Sequence, residues 1–272
     1  MALHTVAFVS PGLSATNVWA RVPAAVDDVL GLLDGALIPE EDGQLVAAAA
    51  GGTGVEKAQL SQRSMDITPA NIHPVNSSFW PSPVGVLSMP TQSVRLPRNE
   101  AFRASVFNPS AEAAVVCWLE MQRTPAPTGE TFLLEFSASC TLTALTWIRT
   151  ELAWAVPYLP AARYHIVGME VHASPGVGAG GAVAARLVLP NQQYRPGALV
   201  MGNATALPPA FQTDGVLGSW GWFEQISVPR LEVIGPASNP CELRGYLRVI
   251  RAATPTGGNT QSGSGTPTPR WG

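Results

Sequence analysis

Glycine and proline punctuate this chain from end to end, and the intervals between them suit short strands joined by tight turns. The 26 Gly and 25 Pro recur along the chain instead of clustering. Residues 17–22 alternate, with Val18, Ala20 and Val22 on one face and Trp19 and Arg21 on the other. Residues 243–250 alternate in the same way, Leu243, Gly245, Leu247 and Val249 against Arg244, Tyr246, Arg248 and Ile250. Residues 113–122 (AAVVCWLEMQ) are apolar on both faces in their first half, the pattern of a central strand. Asp34-Gly35, between apolar runs at 29–33 and 36–38, predicts a hairpin turn, and a helix over residues 24–33 is the competing reading.

Further strand-like runs stand at residues 4–9, 44–50, 55–65, 93–96, 101–107, 132–138, 142–148, 150–156, 164–172, 183–189, 198–201, 216–223 and 231–234. The break at residues 124–129 (TPAPTG) leaves about eight strands before it and eight or nine after it. Eight strands in two packed sheets is the jelly-roll count. The expected fold is therefore all-β, with two tandem eight-stranded jelly-roll sandwiches at residues 1–125 and 130–251. The first includes a Pro-rich connection at 68–90, and residues 252–272 form a flexible Gly/Ser/Thr/Pro tail. The alternative is one jelly roll from about residue 93 to 251, with an N-terminal β subdomain before it.

Only 13% of residues are charged, about half the usual share, so neutral groups or other subunits must cover much of the surface. The net charge is −3, Lys57 is the only lysine, and no polybasic arm exists; direct nucleic-acid binding is not expected. Cys117, Cys140 and Cys241 are too few and too scattered for a disulfide framework and read as small buried hydrophobes in a reducing compartment. The N-terminus lacks the basic and apolar regions of a signal peptide, and no apolar run reaches membrane-spanning length. A soluble chain made in a cytoplasm is expected.

The chemical motifs are weak. Gly176-x-Gly178-x-x-Gly181 matches a dinucleotide fingerprint as a string, but the β-like run AVAARLVLP follows it where a helix is required. His165 and His172 are seven apart, so a regular strand points them to opposite faces, and no metal site is expected. Ser262–Gly265 lies in the tail, and the carboxylate pairs Glu40/Glu41 and Asp27/Asp28 read as solvated turn residues. No catalytic residue, cofactor or metal is assigned, and the chain is not expected to be an enzyme. Trp220 and Trp222, two apart, would share one strand face as a core or subunit interface, or alternatively as a sugar platform.

Several segments in order are similar to major capsid proteins of tailless icosahedral bacteriophages, of the jelly-roll and double-jelly-roll kind. They are IHPVN at 72–76, RLPRNE at 95–100, RYHIVGM at 163–169, ARLVLP at 185–190, YRPG at 194–197, GSWGWFE at 218–224 and Tyr246-Leu247. The resemblance implies a homotrimer whose six sandwiches make a pseudo-hexagonal capsomer that tiles an icosahedral virion shell. It implies neighbouring capsomers, minor capsid or vertex proteins and an internal membrane as partners, with assembly in the host cytoplasm. The alternative reading is a carbohydrate-binding β-sandwich of a spike or adhesin.

Overall fold

The structure is a computed structural model that describes residues 2–62, 70–72, 86–88, 94–122, 127–174, 181–190, 192–202 and 219–252. Among them it forms strands and no helix. The first eleven strands are β1 (Ala2–Ser10), β2 (Trp19–Val22), β3 (Gly31–Leu33), β4 (Ala36–Ile38), β5 (Gly43–Gly52), β6 (Lys57–Ser61), β7 (Ala70–Ile72), β8 (Val86–Ser88), β9 (Val94–Leu96), β10 (Arg103–Phe107) and β11 (Ala113–Gln122). The rest are β12 (Thr131–Thr141), β13 (Ile148–Glu151), β14 (Ala153–Trp154), β15 (Arg163–Ser174), β16 (Ala184–Val188), β17 (Gly197–Gly202), β18 (Gly221–Glu224), β19 (Arg230–Ile234) and β20 (Pro240–Ala252).

The same pairing order occurs twice. In the first half one sheet runs β1-β11-β5, with β8 and β9 sharing the far side of β5, and the other runs β2-β10-β6-β7. In the second half the corresponding sets are β12-β20-β15-β18 and β13-β19-β16-β17. With the β3–β4 hairpin and the short β14 set aside, and β8 and β9 counted as one interrupted strand along β5, each half pairs its first strand with its eighth, the eighth with the third and the third with the sixth. Its other sheet orders the second, seventh, fourth and fifth strands. This is the jelly-roll arrangement in duplicate. The two sheets of the second half are joined by a parallel pairing of β15 with β17.

Side-chain alternation divides the interior. Val6, Phe8, Leu45, Ala48, Val115, Cys117 and Leu119 point into the first sandwich and meet Val22, Leu60, Phe102, Ala104 and Val106 from its other side. The opposite faces of the same strands carry Leu3, Ala7, Val9, Ala47, Ala49, Ala114, Val116 and Trp118, and these belong to one continuous core with the second sandwich. The central sheet of the first half is thus buried on both faces. Alanines at four of these positions let the two layers approach closely.

Local chemistry explains the turns. Asp34 (φ 50°) and Gly35 (φ 69°) both take the left-handed conformation of a type I′ hairpin, so residues 24–33 are not a helix. The strand expected at 142–148 is instead a turn. β12 runs on to Thr141, Leu142 N–H donates to Asn239 O, and Leu145 takes φ 64°. Apolar content there serves packing, since Leu142 is fully buried and Leu145 lies against the core. Within the Pro-rich stretch at 68–90, β7 pairs with β6 and β8 with β5. The remainder of that stretch, residues 124–126 of the expected break, Gly176–Gly180 of the glycine loop and the tail from residue 253 lie outside the described residues.

Candidate functional site

The polar feature that most distinguishes this molecule lies between the sandwiches. Three neighbouring strands of the second half place Arg149 (β13), Glu232 (β19) and Arg186 (β16) in one cross-strand row. Arg186 sits in an otherwise apolar strand and is 1% exposed. Its Nε donates to Glu232 Oε2 at 2.9 Å, and its Nη1 donates to Asp27 Oδ2 and to the Thr5 carbonyl at 3.1 Å. Its guanidinium lies 4.0 Å over the Trp147 ring. Glu232 also accepts from Arg149 Nη2 at 2.7 Å and from Arg195 Nη1 at 2.6 Å. Arg195 pairs in addition with Asp28.

The first half supplies the other side. Asp27 is held by a local turn in which its Oδ1 accepts from the Val29 and Leu30 backbone N–H groups at 2.8 and 3.0 Å. His4, on β1, is fully buried, with Nε2 3.2 Å from both Asp27 oxygens. Its Nδ1 accepts from the Arg195 backbone N–H at 3.1 Å, which makes it the neutral tautomer protonated on Nε2. Beside the charges, Thr5 N–H donates to Arg195 O at 2.8 Å and Trp118 Nε1–H donates to Gly197 O at 2.9 Å.

Electrostatics follow from this geometry. Burial pushes the His4 imidazole below its ordinary value and outweighs the pull of Asp27, so His4 stays neutral. Burial alone would raise Asp27, but the hydrogen bond from His4 and the charge and hydrogen bond of Arg186 hold it far below the usual carboxylate range. With His4 neutral, Arg186 is the cation responsible. Three arginines face Asp27, Asp28 and Glu232, so the charges balance. The cluster is built to hold two layers in register. Removing one member of so buried a set leaves an uncompensated charge, a loss of about 3–5 kcal/mol.

Asp27 is therefore buried, contrary to its reading as a solvated turn residue, and Asp28 alone of that pair reaches water. Glu41 accepts from Tyr194 Oη at 2.8 Å, with Tyr194 reaching over from the second half. The sequence signal for this junction was a charge inside an apolar strand: Arg186 in AVAARLVLP and Glu232 in LEVI.

The structure separates Trp220 and Trp222. Gly221 takes φ +136°, where a Cβ would strike Gln192 and Leu189, and this break in the strand turns Trp220 inward. Trp220 is fully buried in the shared core, whereas Trp222 is half-buried outside, with the Arg163 guanidinium 4.0 Å over its ring. They form no common platform. The histidine parity is corrected as well. A bulge between Ile166 and Gly168 shifts the register of β15 against β20, so the half-buried His165 and His172 both lie on the outward face. His172 hydrogen-bonds Glu170 at 2.6 Å. Among the described residues no group of three or more His, Cys, Asp or Glu converges as a metal site.

No family model matches the chain, and no curated protein matches it. Among solved structures, the chain is similar to the crystal structure of the major capsid protein P2 from Bacteriophage PM2. The two share 8% identity over 93% of this chain and 99% of that one, with a TM-score of 0.23. A score that low does not place the chain in that protein's family.

Proposed function

We propose that this chain is a structural, non-enzymatic major capsid protein that trimerises into pseudo-hexagonal capsomers and builds an icosahedral virus shell. The observation that carries the proposal is the duplicate jelly roll fused through a sheet buried on both faces and locked by the Arg186–Asp27–Glu232 cluster. Two like sandwiches held rigidly side by side present six similar lobes when three copies close around an axis, and closed rings of this kind are how soluble chains assemble. Large apolar side chains left in water on both halves, among them Val26 (66%), Leu133 (62%), Tyr158 (66%) and Ile226 (89%), are surfaces for neighbouring copies to cover.

The partners are then other copies of the chain, minor capsid or vertex proteins and an internal membrane. The low charge and the missing basic arm favour a shell that does not grip the genome itself, assembled in the host cytoplasm and located in the virion. A sugar-binding role loses its motivating feature, because Trp220 is buried away from Trp222.

Light scattering on a sizing column, followed by negative-stain microscopy, tests this. The expected result is a particle of three times 28.6 kDa, or hexagonal arrays and shells. A monomer that persists at high concentration would sink the proposal.

A further inference from the structure

The three cysteines, scattered in sequence, do not stay scattered in space. Cys117 lies alone in the first core, fully buried, where burial pushes its thiol up and keeps it inert. Cys140 on β12 and Cys241 on β20 are direct cross-strand partners, next to the last pair of that ladder. Both face the core of the second sandwich, Cys241 within it and Cys140 packed against it. Residues directly opposed in an antiparallel ladder have Cα atoms about 4.5–5.5 Å apart. That lies inside the roughly 4.4–6.8 Å a disulfide spans, so closure needs no strand movement.

From this register and shared face we infer that Cys140 and Cys241 form a reversible oxidation site, a dithiol that a hydroperoxide converts to an intramolecular disulfide. The two thiols are unequal. The hydrogen bond from Cys140, and a further one from the Ala182 backbone N–H, draw Cys241 below its ordinary value against the opposing effect of burial. Cys140 is driven the other way, first by that same hydrogen bond and then by burial, and it is the partly exposed member of the pair.

The step balances with a hydroperoxide as the oxidant. One thiolate of the pair attacks the peroxide oxygen, the O–O bond breaks, and that sulfur becomes a sulfenic acid while the alcohol or water leaves with the partner thiol's proton. The partner sulfur then attacks the sulfenic sulfur, the S–OH bond breaks, and water leaves. Two thiols and one peroxide give one disulfide, one water, and one further water or alcohol. A small peroxide suits the site because Cys241 is only 2% exposed.

The bond would join the first and last strands of the second sandwich, whose thiols are about a hundred residues apart in the chain. Such a long closed loop is where a cross-link restricts the unfolded chain most. A chain folded in a reducing compartment and later released into an oxidising medium would gain this staple after assembly. That timing rests on the shell proposal; the chemistry does not.

The test is hydrogen peroxide treatment of the full-length protein, followed by thiol titration and non-reducing peptide mapping. Reactive thiols in the denatured protein should fall from three to one, with a Cys140–Cys241 linked peptide. The thermal midpoint should rise by about 5 °C and return with reductant. In Cys140→Ser, peroxide should leave a sulfenic acid on Cys241 that dimedone traps, and Cys117→Ser should still form the link. Three persisting thiols, a link that joins two chains, or overoxidation of Cys241 with no link in the wild-type protein would each overturn the inference. A monomer in the sizing experiment with the link intact would remove the shell reading alone.

Discussion

β11 and β20 occupy the same place in two copies of one topology, and their sequences could hardly differ more. Each is the eighth strand of its jelly roll and is paired on both sides, β11 by β1 and β5, β20 by β12 and β15. β11 is buried at every position from Ala113 to Leu119. β20 alternates: Cys241, Leu243, Gly245, Leu247 and Val249 face the core, while Glu242, Arg244 and Tyr246 face out. The pairing pattern cannot account for this, because it is the same. What differs is the layer behind the sheet. The second sandwich covers β11, whereas among the described residues the outward face of β20 stays exposed. Loss of alternation in one copy of a duplicated fold therefore marks the face on which the copies dock.

Four experiments would break or sharpen that contrast. The largest effect is expected from Arg186→Met, which strands Asp27 and Glu232 at the junction. It should lower stability by about 3–5 kcal/mol in chemical denaturation. Arg244→Met, on the outward face of β20, should stay within about 0.5 kcal/mol. Equal losses would mean that the junction is no more demanding than open surface.

Ala49→Leu comes next. Ala49 is 1% exposed on the junction side of β5, and a larger side chain there would wedge the sandwiches apart at a cost of about 1–3 kcal/mol. Ser137→Leu on exposed β12 should be near neutral, and a neutral Ala49→Leu would mean that the two layers do not pack as tightly as alanines allow.

The third experiment is titration with acid. His4 sits below its ordinary value of 6.5 in the folded chain, so below that pH the unfolded chain binds the extra proton. Stability should therefore fall as pH drops below about 6.5, by at most about 1.4 kcal/mol per pH unit for this one proton. Asp27 acts in the same direction from its ordinary 3.8 downward, since the folded chain holds its carboxylate ionised there. His165 on the outer face is lowered by burial and then by Arg163, but it is only half-buried. His4→Gln should thus flatten the slope between pH 6 and 4 more than His165→Gln does, as read by urea midpoints across that range. A larger change from His165→Gln would move the acid-sensitive group away from the junction.

The smallest effect is expected for Trp222→Ala. It removes the stacked Arg163 contact and should cost about 0.5–1 kcal/mol, with the secondary structure unchanged by circular dichroism. A loss comparable with Arg186→Met would show that the outward sheet carries hidden tertiary load.

Much of the molecule was legible in its residues. Turn chemistry located the Asp34-Gly35 hairpin, and alternation located β2 and β20. The two-sided apolarity of residues 113–122 marked a covered strand before its cover was known. These signals are local, because a strand's period of two and a turn's need for positive φ act within a few residues. The tertiary structure decided the rest. It brought Asp27 under His4 and Arg186, reversed the parity of His172 with a bulge, turned Trp220 inward at Gly221 and set Cys140 opposite Cys241. Each depends on register between segments far apart in the chain. A one-residue shift in pairing moves a side chain to the other face, so composition and spacing alone do not specify which residues meet.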